Sequence, residues 1–292
     1  MATYEGTVDY FLRDFGSRVR DFSLSEAADG DRVSRSRAIE MINLAQKVIH
    51  RRLVTEVNSE VMTRSATCTQ NSSDSAIWYL PARTVHIMTI RDSNTTHYRM
   101  IPTPLDPDQP GVYLQNRPNT IGKQLFFKDV TPSSSVIARV VEDPVLLSSG
   151  TNAATSDTSI TLATTPGVGR DISDTNIFQG AEIRITGGND AGDIQTINSS
   201  AGLVCQVTSW TTETPETTTD TYSLQCSLPR EAWPAISAEA ARLNMATDKE
   251  IIEFKPEIDA EAAETYQNAA LALLRYTADM VKEPRRTIDW IR

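Results

Sequence analysis

Three histidines and three cysteines in 292 residues leave this chain short of the side chains that most often bind metals or attack substrates. Three cysteines cannot build a disulfide framework. Cys205 and Cys226 fall in one β-type block and could be neighbours, but reduced, buried thiols are the expectation. His50, His86 and His97 occur singly, with no carboxylate or thiol at ligand spacing, so structural or surface roles are expected and no metal site. Long apolar runs are missing too: nothing approaches the ~18 residues of a membrane span. Basic residues number 28 against 38 acidic, for a net charge of −10. That balance argues against binding nucleic acid by neutralising phosphates, while an acidic wall suits a conduit that DNA only passes. The start, Met1-Ala-Thr-Tyr-Glu-Gly6, lacks the basic head and apolar core of a signal peptide, which predicts folding in a cytoplasm.

What the chain does carry is hydrophobic periodicity, and its period changes along the sequence. The length allows one large domain or two small ones, with enough apolar residues for a core. Val8, Phe11, Leu12, Phe15 and Val19 form one stripe of a helix expected from Thr3 to about Arg20. Asp29-Gly30-Asp31 marks a turn. A second helix is expected from Ser34 to Thr55, capped by Ser34 or Ser36, with Ile39, Ile42, Ala45, Ile49 and Leu53 inward. Its other face carries Arg35, Arg37, Lys47, Arg51 and Arg52, most simply a solvated surface. Near the far end, Leu228-Pro229 opens a helix through Asn244. Asp259 starts a longer one to about Lys282, with Ala263, Tyr266, Ala270, Leu273, Leu274, Thr277, Met280 and Val281 as its stripe.

Between the helices the period falls to two. Ile77–Pro81, Thr84–Ile90 and His97–Pro102 read as strands, the last two as a hairpin across a polar turn. Prolines 102, 104, 107 and 110 then hold an extended connection. Gln124–Lys128 and Ser135–Val141 are further strands. From about Gly150 to Leu228 a Thr/Ser-rich block carries short strands at 159–162, 181–185, 193–197, 203–207 and 221–224, the spacing of a small sandwich or barrel.

No pattern in the chain asks to be an active site. The loop Gly187-Gly188-Asn189-Asp190-Ala191-Gly192-Asp193 offers oxygens, but it lacks the alternating ligands and final Glu of a calcium loop. Glycine and Asn more simply supply the positive φ angles of a tight hairpin. The loop also lacks the Lys-Ser/Thr ending of a phosphate cradle. Serine runs have no Gly-x-Ser-x-Gly context, and no carboxylate pair is placed by pattern for acid/base work. Catalytic residues, cofactors and metals are therefore expected to be none, and the protein not to be an enzyme.

Two stretches carry a resemblance. Arg37-Ala-Ile-Glu-Met-Ile-Asn43-Leu-Ala45, followed by Tyr79-Leu-Pro81, Val85 and Tyr98-Arg-Met-Ile-Pro102, resembles the head-to-tail adaptor (connector, neck) proteins of tailed bacteriophages. So does Ala238-Glu-Ala-Ala-Arg-Leu-Asn244 leading to Ala262, Tyr266, Ala270 and Leu274. Separately, Gly180-Ala-Glu-Ile-Arg-Ile-Thr-Gly-Gly188, Trp210-Thr-Thr, Pro215 and Tyr222-Ser-Leu224 are similar to a β module of phage virion proteins. The insert is large for a minimal adaptor, which points to a more specialised neck protein.

The expected fold class is α+β: a helical-bundle body with a small β-hairpin or sheet region and an inserted all-β domain, sandwich or barrel. Expected boundaries are 1–148 and 229–283 for the body, 149–228 for the insert and 284–292 for an extended C-terminal arm. The resemblance implies a homo-oligomeric, twelvefold ring at the head–tail junction of the virion, assembled in the bacterial host cytoplasm. Such a ring binds the portal, extends the DNA channel and docks tail or nozzle proteins, without specific DNA binding or membrane contact. The insert would face fibre or capsid proteins. On the arm, Arg285, Arg286, Ile288, Trp290 and Ile291 are the candidate partner-binding residues, since Trp and Arg are common interface hot spots. The tail could also fold back onto its own bundle. The competing readings are a capsid decoration or fibre-attachment protein whose β domain is the binding module, and a virion glycan hydrolase.

Overall fold

A computed structural model describes residues 4–24, 29–56, 63–101, 109–116, 122–132, 135–152, 154–163, 177–188, 190–210, 214–215, 219–247 and 255–282. Among these residues the chain makes 17 strands in four sheets and four α-helices. No helix among them is long and apolar enough to cross a membrane. The protein is a sheet-rich α+β fold, which corrects the expectation of a helical-bundle body with a small β region. Residues 63–142, expected as a small β-hairpin or sheet region, build two complete sheets.

The chain divides into two compact units: Met1–Tyr10 with Met62–Ser227, and Phe11–Val61 with Leu228–Arg292. The first unit holds all the strands. One four-stranded sheet runs in the order β1 (Thr63–Thr67), β9 (Val136–Glu142), β4 (Thr84–Asp92), β5 (His97–Tyr98). A five-stranded sheet runs β2 (Thr69–Gln70), β3 (Ile77–Tyr79), β8 (Lys123–Lys128), β7 (Gly111–Asn116), β6 (Met100–Ile101). Trp78, Ile90, Leu125, Phe127, Ala138 and Val140, drawn from both sheets, share one core. The hairpin expected over 84–102 survives only as two residue pairs, Ile90 with Tyr98 and Arg91 with His97. Beyond them Met100–Ile101 leaves for the other sheet, where it pairs with β7 in parallel. The main partner of β4 is β9, whose Val136, Ala138 and Val140 offer a fully buried edge that a polar turn cannot supply.

A second pair of four-stranded sheets occupies 149–224. Its orders are β10 (Ser149–Thr151), β17 (Thr221–Leu224), β13 (Glu182–Gly187), β14 (Ile194–Thr196), and β11 (Ala154–Ser156), β12 (Ser159–Thr161), β16 (Val204–Gln206), β15 (Ser199–Ala201). Ile160, Phe178, Ile183, Ile185, Cys205 and Tyr222 fill the shared core. Buried and part-exposed residues alternate along β13, the period-two signature of a strand with one face on a core. The 187–193 loop turns β13 into β14: Gly192 donates its amide to the Ile185 carbonyl at 2.8 Å, and Ile185 donates to Asp193 at 2.9 Å. Gly188 sits at φ +95°, and a Cβ there would lie 1.5 Å from Asp220 Oδ1, so no other residue fits this turn.

The second unit is helical: α2 (Arg35–Glu56), α3 (Trp233–Thr247) and α4 (Lys255–Lys282), joined by most of α1 (Val8–Arg18). The first-helix stripe is placed as expected, with Phe11, Leu12 and Phe15 fully buried, each stabilising by about 1.5–3 kcal/mol. Phe11 meets Trp233 edge to face at 6.2 Å. Both α2 and α4 pack on α3. The stripe of α4 is met in part: Tyr266 and Leu273 are buried as expected, while the side chains of Thr277, Met280 and Val281 lie outside the described residues. Ile258, Ala262, Tyr266, Ala269 and Leu273 are buried, whereas Ala263 and Leu274 are exposed. Alanine and leucine are abundant on every side of this helix, so composition does not say which apolar line faces α3.

Candidate functional site

The five partner-binding candidates, Arg285, Arg286, Ile288, Trp290 and Ile291, lie outside the described residues, as does the 102–108 connection. Among the described residues no group of three His, Cys, Asp or Glu is placed to hold a metal. His50 is buried in α2, while His86 and His97 are exposed on β4 and β5. All three cysteines are free and buried. Burial pushes the Cys68 and Cys205 thiols up to about 12, although at Cys68 a backbone hydrogen bond from Ala138 pulls the other way.

The structure instead draws attention to apolar side chains held in water by rigid supports. The first is Phe22, 81 % exposed at the end of α1. Helix α1 stops where Arg20 enters the left-handed region at φ 55° and Asp21 donates its amide to Gly16 at 2.8 Å. The buried Asp21 carboxylate then gathers the following loop. It accepts the amides of Asp31 at 3.1 Å, Arg32 at 2.8 Å and Val33 at 2.9 Å, and the Ser23 hydroxyl at 2.8 Å. Burial pushes the carboxyl pKa up, but these hydrogen bonds outweigh it and hold Asp21 below the ordinary carboxylate range. Gly16 and Gly30 are needed here, because a Cβ would approach the Asp21 carbonyl to 2.6 Å or its carboxylate to 2.2 Å. Phe22 thus projects from a loop that the Asp21 carboxylate gathers through four hydrogen bonds.

The second group lies on the outer helix faces. Leu44 on α2 is 44 % exposed, and Leu271 on α4 is 52 % exposed. Around Leu44 stand Arg37, Lys47 and Arg51 at helical spacing; preceding Leu271 stand Glu257, Glu261 and Glu264. The two helices are tied at one end by Tyr266, whose hydroxyl donates to Glu56 at 2.7 Å while the Arg52 guanidinium covers its ring at 3.6 Å. Burial first, then Glu56, raises the Tyr266 pKa to about 12, and the Tyr266 hydrogen bond lowers that of Glu56. A contact between Arg18 and Glu261 links α1 to α4 in the same way.

In the strand unit the polar clusters are braces. Glu142 accepts two bonds from Arg64, both at 2.7 Å, and faces Arg83 at 3.1 Å. Arg83, itself buried, donates to the Asp143 carbonyl and to the Gln179 carbonyl, each at 2.8 Å. One guanidinium therefore fastens the first pair of sheets to the second. On β4 the register against β9 slips twice, between Thr84 and His86 and between Ile87 and Thr89, so Val85 and Met88 are the extra residues. Both bulged side chains are exposed, and Lys123 holds the Val85 carbonyl at 2.7 Å. Bulges of this kind re-aim side chains at working surfaces.

Sequence reasoning did not mark Phe22, Leu44, Leu271, Val85 or Met88 as exposed apolar residues. The only signal for Phe22 was a lone aromatic between Asp21 and Ser23 past the end of an apolar stripe. For Leu44 it was an apolar residue on the charged side of its helix. The arrangement leaves apolar side chains exposed on regular elements, and the buried carboxylates of Asp21 and Glu142 are engaged in holding a loop and strands. Neither a protein-family model nor a curated protein sequence matches this chain.

Proposed function

We propose that this protein is a structural, non-enzymatic component of a tailed-bacteriophage virion: a head–tail adaptor whose copies close into a ring, twelvefold by resemblance. That ring binds the portal, extends the DNA channel and docks tail or nozzle proteins. The observation that carries this reading is the joining of helices from the two ends of the chain, 11–56 and 228–282, into one unit. The resembling residues lie largely in those helices, and the sequence between them forms the strand unit. Exposed apolar residues on fixed supports, Phe22, Leu44 and Leu271, suit a subunit that works through contact. The arm residues Arg285, Arg286, Ile288, Trp290 and Ile291 would reach the portal or a neighbouring copy.

The test is mass measurement of the purified chain, alone and with the portal protein of the same genome. A closed ring, or a monomer that becomes a ring on the portal, is the expected result. A trimer or stable monomer without portal affinity would replace this reading with the second one, decoration or fibre attachment through the β domain. That alternative draws on Ile194 and Val204, exposed apolar residues of the second pair of sheets.

A further inference from the structure

Two faces of the helical unit are complementary to each other in charge and in the spacing of their apolar residues. On α2, Leu44 and Arg51 stand two helical turns apart on the side opposite the buried stripe, with Lys47 between them. On α4, Glu264 and Leu271 stand two turns apart on the side opposite Ile258, Ala262, Tyr266, Ala269 and Leu273. Laid antiparallel, the two helices bring Leu44 against Leu271 and Arg51 against Glu264 in one register. Glu257 extends the acidic end of the α4 face. The parallel alternative would set Arg37 against Glu264, but Arg37 already holds Glu40 of its own helix at 3.0 Å.

We infer that the outer face of α2 in one copy packs on the outer face of α4 in the next copy. This inference rests on the ring reading above and names the surface that makes the ring. Leu44 and Leu271 are both open to solvent in the single chain, and α3 packs against both helices, so the two faces meet only across copies. A second copy is the occupant because each face finds its opposite charge and its apolar partner on the same molecule. Two different patches joined head to tail make a heterologous contact, and repetition of such a contact closes a ring or runs on as a filament. The leucines supply the apolar centre and the charged pairs set register and exclude like faces.

The experiment is sedimentation velocity of the full chain over a concentration series, with charge reversals that leave the fold alone. Arg51→Glu and Glu264→Arg are each expected to weaken self-association at least about tenfold, because each opposes like charges at the contact. An equimolar mixture of the two single variants is expected to assemble less well than wild type but better than either alone, because both kinds of contact between unlike variants pair opposite charges and both kinds between like variants oppose like charges. The double variant R51E/E264R is expected to assemble by itself. Leu271→Ser is expected to weaken association without shifting the thermal midpoint. If the wild type forms rings and both single reversals assemble equally well, this contact is wrong while the ring reading stands. Recovery as a dimer only would overturn the head-to-tail geometry. A wild-type chain that stays monomeric at roughly 1 mM overturns the contact, and the ring reading falls with it only if portal also fails to assemble it.

Discussion

At the scale of single residues, Asp21 shows how a buried charge can serve a surface. Its carboxylate replaces water for three backbone amides, and a buried donor left without its partner costs about 1–3 kcal/mol. Asp21→Ala is therefore expected to destabilise the protein by ~2–3 kcal/mol, read from urea denaturation. Because the folded pKa lies below the ordinary 3.8, this stabilisation is present above that value and is lost as pH falls through the folded one. The gap between wild type and Asp21→Ala should hold steady from neutral pH to about 5 and shrink toward pH 3. A gap that ignores acid would mean the carboxylate is not the anchor. Phe22→Ser, by contrast, is expected to change stability by less than about 0.5 kcal/mol, since its ring is largely in water. The thiols give a separate check on packing. With Cys68 and Cys205 raised to about 12, native protein at pH 8 should leave both unlabelled by a thiol reagent, while urea exposes all three cysteines. Rapid native labelling of Cys205 would show that the second pair of sheets is open.

At the scale of elements, the helices were legible because an apolar stripe at three-and-four spacing suits no other regular element. The second helix is expected over Ser34–Thr55 and found at Arg35–Glu56. Strands with β-branched residues on alternate positions were legible too, as at Ile183 and Ile185. Polar strands were not. Thr63–Thr67 lies along β9 as Thr-Arg-Ser-Ala-Thr and owes its place to backbone pairing and to the Arg64–Glu142 bond, which no periodicity reveals. Nor could spacing reveal that Arg83 reaches a carbonyl at Gln179, far along the chain. That brace yields a prediction. Arg83→Ala leaves Glu142 buried with a single, half-exposed partner and removes the donors to two carbonyls, and breaking a buried pair costs about 3–5 kcal/mol. Arg83→Lys should recover only part of this, because an ammonium cannot span both carbonyls and the carboxylate as a planar fork does. A loss below about 1 kcal/mol in Arg83→Ala would reduce the cluster to an ordinary surface pair.

At the scale of the whole molecule, the sequence marks the elements far better than their arrangement. Most strands of residues 63–142 show in the sequence, but Thr63–Thr67 and Thr69–Gln70 are polar, and which strands pair is decided by register and shared core. The candidate surfaces were hidden for a related reason: an exposed leucine is visible only once the buried ones are known. The charge, however, needs no fold. Each chain carries −10, so the proposed ring would bring a large negative charge together. Duplex DNA gains affinity mainly by releasing counterions to Lys and Arg, and a wall of net negative charge offers little of that exchange. Duplex of mixed sequence is therefore expected to show no binding to the protein in fluorescence anisotropy, at roughly 150 mM salt or at about 50 mM. The informative quantity is the slope of log affinity against log salt. A conduit predicts a slope near zero, because no phosphate is neutralised in transit. A steep slope, corresponding to several phosphate contacts, would instead place DNA on a basic strip such as the Arg37–Lys47–Arg51 face of α2. That outcome would turn a passage into a grip, and the same face could then not be covered by α4 of a neighbouring copy.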